Sequence, residues 1–185
     1  MKTQIGILKY ISFFGITFFL AGIIACGGGD SSEDLIQKIT PRDKIYTLED
    51  LKTAGFKKSR NYKVEGLVGA TEAYWGFHDR IEFEVRFYAT HEDAKTLGIP
   101  MAEESTGPDA KLKKEDATWD VGIKDRRVCG GGEKGTKDNW SHDIGSCTSH
   151  KYGEFVVYGN FIVLCQGFEE KTALSRCNDL LSKLD

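Results

Sequence analysis

Several signatures are missing from this chain, and each absence removes a class of function. No Cys-x-x-Cys hook is present among its five cysteines, which removes the usual opening of a zinc site. There is no Gly-x-Ser-x-Gly elbow and no Ser-x-x-Lys, so the common nucleophilic serine arrangements have no local signature. Basic residues form no stripe. The 25 Lys and Arg are interspersed with 28 Asp and Glu, which argues against nucleic acid as a partner. The apolar run at 11–25 has 15 residues, short of the roughly 18 that a membrane-crossing helix needs.

That run carries the most specific information in the chain. Lys2 and Lys9 supply a positive start, and Ile23-Ile24-Ala25-Cys26 closes the run with a small residue before a cysteine. Gly27-Gly28-Gly29-Asp30-Ser31-Ser32-Glu33-Asp34 follows, a flexible acidic tether and not a stop-transfer flank. The ending resembles the lipobox of bacterial lipoproteins. The resemblance implies cleavage before Cys26, lipidation of its thiol, and acylation of the new amino terminus. Gly27, where aspartate would resemble an inner-membrane retention signal, favours the outer membrane if the cell has one. The expected organisation is a cleaved signal at 1–25, a lipid anchor and tether at 26–44, and a single domain at 45–185. Without the signal, 23 basic residues face 28 acidic ones, a net charge of −5.

Four cysteines remain: Cys129, Cys147, Cys165 and Cys177. In an exported chain an even count reads as two disulfides, with three connectivities open. The favoured pairing is Cys129 with Cys147 and Cys165 with Cys177. The first would close a polar segment with little apolar content of its own. The second would pin a helix to a sheet, for reasons that follow from the element pattern.

Thr47-Leu48-Glu49-Asp50-Leu51-Lys52-Thr53-Ala54-Gly55 reads as a short helix with Thr47 as N-cap and Gly55 as its stop. Thr90-His91-Glu92-Asp93-Ala94-Lys95-Thr96-Leu97-Gly98 repeats it with six identities in nine positions. Shared capping grammar explains this better than a duplicated unit. Ile81, Phe83, Val85, Phe87 and Ala89 then alternate with Glu82, Glu84, Arg86 and Tyr88, a strand with one buried face. Its partner lies at 72–77 through the turn His78-Asp79-Arg80, with Trp75 and Phe77 as core candidates. Residues 101–117 read as a surface loop, and Trp119, Val121 and Ile123 as a third strand. Gly159-Asn160 joins two further strands, and Phe161-Ile162-Val163-Leu164-Cys165, apolar on both faces, predicts a central strand. Residues 169–184 form the one long amphipathic helix, with Ala173, Leu174, Cys177, Leu180, Leu181 and Leu184 on its apolar stripe. The predicted class is α+β: a mainly antiparallel sheet of about five strands, packed by two short helices and one long C-terminal helix, braced by disulfides.

The constellations that carry chemistry are weak. Gly130-Gly131-Gly132-Glu133-Lys134-Gly135-Thr136-Lys137 lacks the Gly-Lys-Ser/Thr order of a phosphate loop. Asn139, Ser141 and Asp143 alternate like calcium ligands, but Ile144 stands where glycine is needed and His150 where glutamate is. Glu82 and Glu84 beside Arg86 read as a solvated strand face, not a glycosidase pair. Tyr74, Tyr88, Trp140 and Tyr158 fall on predicted outward faces or in the cysteine-closed loop, and Trp140 leads as an interface anchor, with Tyr74 and Tyr88 beside it. The expected function is therefore non-catalytic: an envelope lipoprotein binding an envelope protein or small ligand, without cofactor, metal or nucleic acid. The alternatives are an envelope hydrolase or metal-dependent enzyme built on the Cys129 to His150 segment through His142, Asp143 and His150, and a purely structural lipoprotein.

Overall fold

A hydrophobic run of five residues needs neighbours on both sides and both faces, and the fold is arranged around that requirement. The computed structural model describes residues 36–128 and 147–184, all within the unit Glu33–Asp185. Cys26, Cys129, Trp140, His142 and Asp143 lie outside the described residues, as does 130–137. In order, the elements are β1 (Ile39–Thr40), α1 (Leu48–Thr53), β2 (Lys57–Tyr62), β3 (Ala70–His78) and β4 (Ile81–Tyr88). Then come α2 (His91–Asp93), a π-helical turn (Ala94–Gly98), α3 (Ile99–Glu103) and a 3₁₀ turn (Ile123–Arg126). The last are β5 (Arg127–Val128), β6 (Ser149–His150), β7 (Tyr152–Tyr158), β8 (Phe161–Gln166) and α4 (Glu170–Leu181).

Six strands make one sheet in the order β1-β7-β8-β4-β3-β2, antiparallel throughout except that β1 runs parallel to β7. Strands β5 and β6 form a separate two-stranded ribbon. The α+β class and the long C-terminal helix stand as read from the sequence, with six strands in the main sheet. Strand β8 is central, and Phe161 through Cys165 are fully buried. Its hairpin turns at Gly159, whose φ of 52° is a left-handed conformation that glycine adopts without strain. Asn160, 3% exposed, locks the turn to two other segments. Its Oδ1 accepts from the Tyr46 backbone N–H at 2.7 Å, and its Nδ2 donates to the carbonyls of Tyr46 and Tyr88, each at 3.1 Å.

On one face, Tyr74, Phe83, Val85, Phe87, Val156, Tyr158, Phe161, Val163 and Cys165 pack with Leu51 and Ala54 of α1 and with the stripe of α4. Ala173, Cys177, Leu180 and Leu181 are fully buried there, and Cys177 is bonded to Cys165 with their Cα atoms 5.6 Å apart. The other face carries Tyr88, Tyr152, Phe155, Val157, Ile162 and Leu164 against Ala94 and Ala102. A third cluster continues it through Tyr62, Leu67, Ala73, Met101 and Trp119. Helix α1 and the α2 segment thus cover opposite faces. Each opens on a threonine cap: Thr47 N–H donates to Asp50 Oδ2 at 2.8 Å, and Asp93 N–H donates to Thr90 Oγ1 at 3.0 Å. Their similarity is capping grammar, since α1 stops at Gly55 with φ +97° while the second helix runs on.

Several sequence expectations are corrected here. Gly98, the counterpart of the Gly55 stop, does not end the second helix, and neither does Pro100 just beyond it. The π-helical turn and α3 carry it to Glu103, and a π bulge relieves the clash a proline makes with the preceding turn. Residues 101–117 are not wholly a surface loop, because Met101, Ala102, Ser105 and Thr106 are buried against the sheet. Trp119, Val121 and Ile123 form no strand; Trp119 caps the third cluster from irregular backbone and Ile123 opens the 3₁₀ turn. Of the two core candidates on β3, Trp75 is half-buried against the third cluster, and Phe77 is half-buried without belonging to any of the three clusters. Strand β2, almost entirely exposed and carrying Lys57, Lys58 and Arg60, has no apolar alternation to announce it. Residues 39–40, within the expected tether, pair with β7 as β1.

Candidate functional site

The alternation of β4 places Glu82, Glu84, Arg86 and Tyr88 on one face, and the structure reverses the reading that this face is solvated. Glu84 and Arg86 are fully buried, because the chain from α3 through the 3₁₀ turn folds over them. Arg126, 42 positions along the chain from Glu84, enters from that turn with its side chain 2% exposed. Glu84 Oε1 accepts from Arg86 Nε at 2.7 Å and from Arg126 Nη2 at 3.2 Å, while Oε2 accepts from Arg126 Nε at 2.9 Å. Arg126 also donates to the carbonyls of Trp119 at 3.0 Å and Val121 at 2.9 Å. Arg86 Nη2 donates to Ser105 Oγ at 2.9 Å, and that hydroxyl donates on to the Met101 carbonyl at 3.0 Å. The Trp119 ring lies over both guanidinium groups, 4.4 Å from Arg126 and 5.1 Å from Arg86.

Burial works against charge throughout this cluster. It pushes the Glu84 carboxyl up, but the Arg126 and Arg86 charges and their hydrogen bonds outweigh it and hold the group below the usual carboxylate range. Desolvation lowers Arg86, which the Glu84 charge opposes. Desolvation also pushes the Tyr88 hydroxyl up to about 12 and raises Tyr152 well above its ordinary value. Sealed from solvent, the cluster meets no dissolved substrate in this conformation. Its evident work is to hold the irregular segment around Trp119 against the sheet.

The tyrosines read as outward interface anchors are placed differently. Tyr74 is 9% exposed, within the α4 side of the core, and Tyr88 is 1% exposed beneath the π-helical turn. Tyr158 is fully buried. Both sheet faces are covered, so large residues on either face fill layers rather than offer contacts. Among the described residues Trp75 and Phe77 are partly open, their rings edge-to-face at 4.8 Å. Trp75 Nε1 donates to Glu82 Oε2 at 3.1 Å, and the same oxygen accepts the Lys151 ammonium. Arg60 lies 5.4 Å and Lys151 5.8 Å from the Trp75 ring centre. Arg60 is held in turn by Asp125 at 2.6 Å, whose carboxylate also accepts from the Tyr62 hydroxyl at 2.7 Å.

This patch adjoins the β5–β6 ribbon, since Lys151 follows His150 directly and its backbone N–H donates to the Arg126 carbonyl at 2.8 Å. From the ribbon's far end the chain leaves at Val128 and returns at Cys147, and the stretch between contains Trp140. Cys147 is disulfide-bonded to a partner outside the described residues. Beside it, Asp109, Lys111, Lys113, Asp116, Arg127 and Thr148 line an open cleft of about 770 Å³. The histidine of the catalytic alternative, His150, is half-buried and turned inward. Its Nε2 lies 3.2 Å from the Phe168 carbonyl, so it donates there, and its ring packs edge-on to Phe168. Among the described residues no group of three His, Cys, Asp or Glu side chains could hold a metal, and no helix is long and apolar enough to cross a membrane.

The buried ion cluster had one trace in the sequence: opposite charges two residues apart on an otherwise apolar strand. Arg126 had none, because its partner is brought to it only by the fold. No curated protein and no solved structure matches the chain. A family model does, over residues 47–185, from the N-cap of α1 to the last residue. The chain therefore belongs to a family of unknown function, DUF6810.

Proposed function

We propose that this protein is an envelope lipoprotein, anchored through acylated Cys26, whose domain binds another envelope component without transforming it. The recognition surface is the partly open patch of Trp75, Phe77, Arg60, Glu82 and Lys151, extended along the β5–β6 ribbon toward the stretch that holds Trp140. One observation carries the reading. With both sheet faces covered, this is where aromatic side chains, two cations and a carboxylate reach the surface together, the residue types that anchor interfaces. The inward-turned His150 gives the catalytic alternative no support.

Two experiments test the two halves. Radiolabelled palmitate should enter the native chain and be lost in Cys26→Ser; equal labelling of both would remove the anchor. A photoreactive residue at position 77 of the full-length chain in cells should capture a discrete adduct, whereas one at exposed Ile45 should not. Equal capture at both positions, or none at 77, would remove the patch.

A further inference from the structure

The main sheet ends on two edges of unequal length. Strand β1 covers Ile39–Thr40 alone, whereas β2 runs over Lys57–Tyr62 and pairs only with β3 among the described residues. Lys57 through Asn61 are all exposed, so the outer row of β2 backbone groups faces solvent. Ser59 drops out of the β3 register as well, between Lys58 opposite Gly76 and Arg60 opposite Trp75. An open edge of this kind is a template for one more strand. Lysine on an edge often serves the reverse purpose, repelling strands by carrying charge outward past the backbone. Here Lys58 lies over the Tyr74 ring, its ammonium 5.3 Å from the centroid, and Arg60 lies 5.4 Å over Trp75 and pairs with Asp125 at 2.6 Å. Both rings belong to β3, Tyr74 packing with the first cluster and Trp75 with the third. The two cations therefore fold back over the sheet, one on each face, and leave the backbone edge uncovered.

What this edge accepts follows from its charge. Strand β2 carries three cations and no carboxylate, and neither Lys57 nor Lys58 has an acid partner among the described residues. A second copy of β2 would set cation against cation across the new ladder, which costs stability. The complement is acidic. We infer that β2 takes an extended acidic segment of a partner protein as a seventh strand of the sheet, with carboxylates meeting Lys57 on the Phe77 side and Lys58 on the Tyr74 side. This inference rests on the binding role proposed above and gives the partner its chemistry. The added strand would run beside the rows that join Lys57 to Phe77 and Arg60 to Trp75, so it extends the same patch. Backbone hydrogen bonds supply the attachment, and the two free ammonium groups select the sign of charge.

A short fluorescein-labelled peptide, in which pairs of glutamate alternate with pairs of threonine, tests this against the full-length chain. Amide exchange at 57–61 should slow when the peptide is added. Lys57→Glu with Lys58→Glu, both outside the aromatic patch, should weaken binding by about tenfold or more while the melting temperature stays put. N-methylation of alternate peptide residues blocks one hydrogen-bonding edge of the peptide and keeps its charge, so one phase of methylation should abolish binding and the other preserve it. Equal binding of both phases would reduce the contact to charge alone and overturn the added strand. Failure of the peptide to protect the β2 amides would overturn it too, as would protection by phosphatidylglycerol vesicles in its place, which would make the edge a lipid contact. Photocapture at position 77 without protection at β2 would sink the added strand and leave the patch standing. Protection at β2 without capture at 77 would support the strand and remove the patch.

Discussion

Replacing Glu84 by glutamine tests the account of the buried cluster most directly. The carboxylate receives three charge-assisted hydrogen bonds, at 2.7, 2.9 and 3.2 Å, from two guanidinium groups that have no other anion in the described structure. Glutamine keeps the shape, neutralises the charge, and turns an amide donor toward a cation. Removing one partner of a buried ion pair costs about 3–5 kcal/mol, because the remaining charge stays desolvated. For a domain of this size each kcal/mol lowers Tm by roughly 2–4 °C, so a fall of about 10 °C is expected. Urea titration should show the lost stability as a shifted midpoint at unchanged slope.

The pH dependence supplies a second readout with a definite sign. Glu84 is held below the ordinary carboxyl value of about 4.3, so the advantage of the native chain over the variant is complete above that pH. It shrinks as pH falls through the lower folded-state value, where the carboxylate takes up a proton. A loss of less than about 1 kcal/mol, or a difference that persists unchanged into strong acid, would mean the layer is not sealed and the reasoning fails.

Three other perturbations follow from the geometry. Cys165→Ser should cost about 3 kcal/mol in urea, since it opens a short loop between β8 and α4 and leaves Cys177 a free thiol; a midpoint equal to that of the native chain would mean the bond contributes nothing. Gly98→Ala should destabilise by about 1–3 kcal/mol, because the new methyl would lie 2.5–2.7 Å from Ile162 and the Tyr88 ring, and calorimetry would show it; an unchanged Tm would mean the helix can shift away. Asp50→Ala should remove about 1 kcal/mol with the cap of α1. Hydrogen bonds from Lys44 and Thr47 hold that carboxyl at about 2, so the contribution is present above the ordinary value of about 4 and is lost as pH falls toward 2, as amide exchange at Leu51 would report.

Much of the architecture was legible from residues whose neighbours in sequence are also their neighbours in space. The five-residue apolar run at 161–165 required a central strand, Gly159-Asn160 required a tight turn, and the stripe ending at Leu184 required a helix lying on the sheet. Those two elements together brought Cys165 and Cys177 within bonding reach. Strand β2 was hidden because an edge strand exposes nearly all its side chains and shows no period. The continuation of the second helix past Pro100 was hidden because a π bulge has no sequence signature of its own.

What the sequence determined by itself was local: the caps at Thr47 and Thr90, the alternation of β4, the hairpin, and the amphipathic C-terminal helix. All depend on hydrogen bonds or periodicities spanning a few residues. What only the tertiary structure decided was which polar residues are buried. Glu84 and Arg86 look like a solvated face until residues 99–128 fold over them and deliver Arg126, and Tyr74 and Tyr88 look exposed until helices cover both faces. Burial belongs to the packed layers and not to the strand, and a charge becomes structural once the chain that shields it is in place.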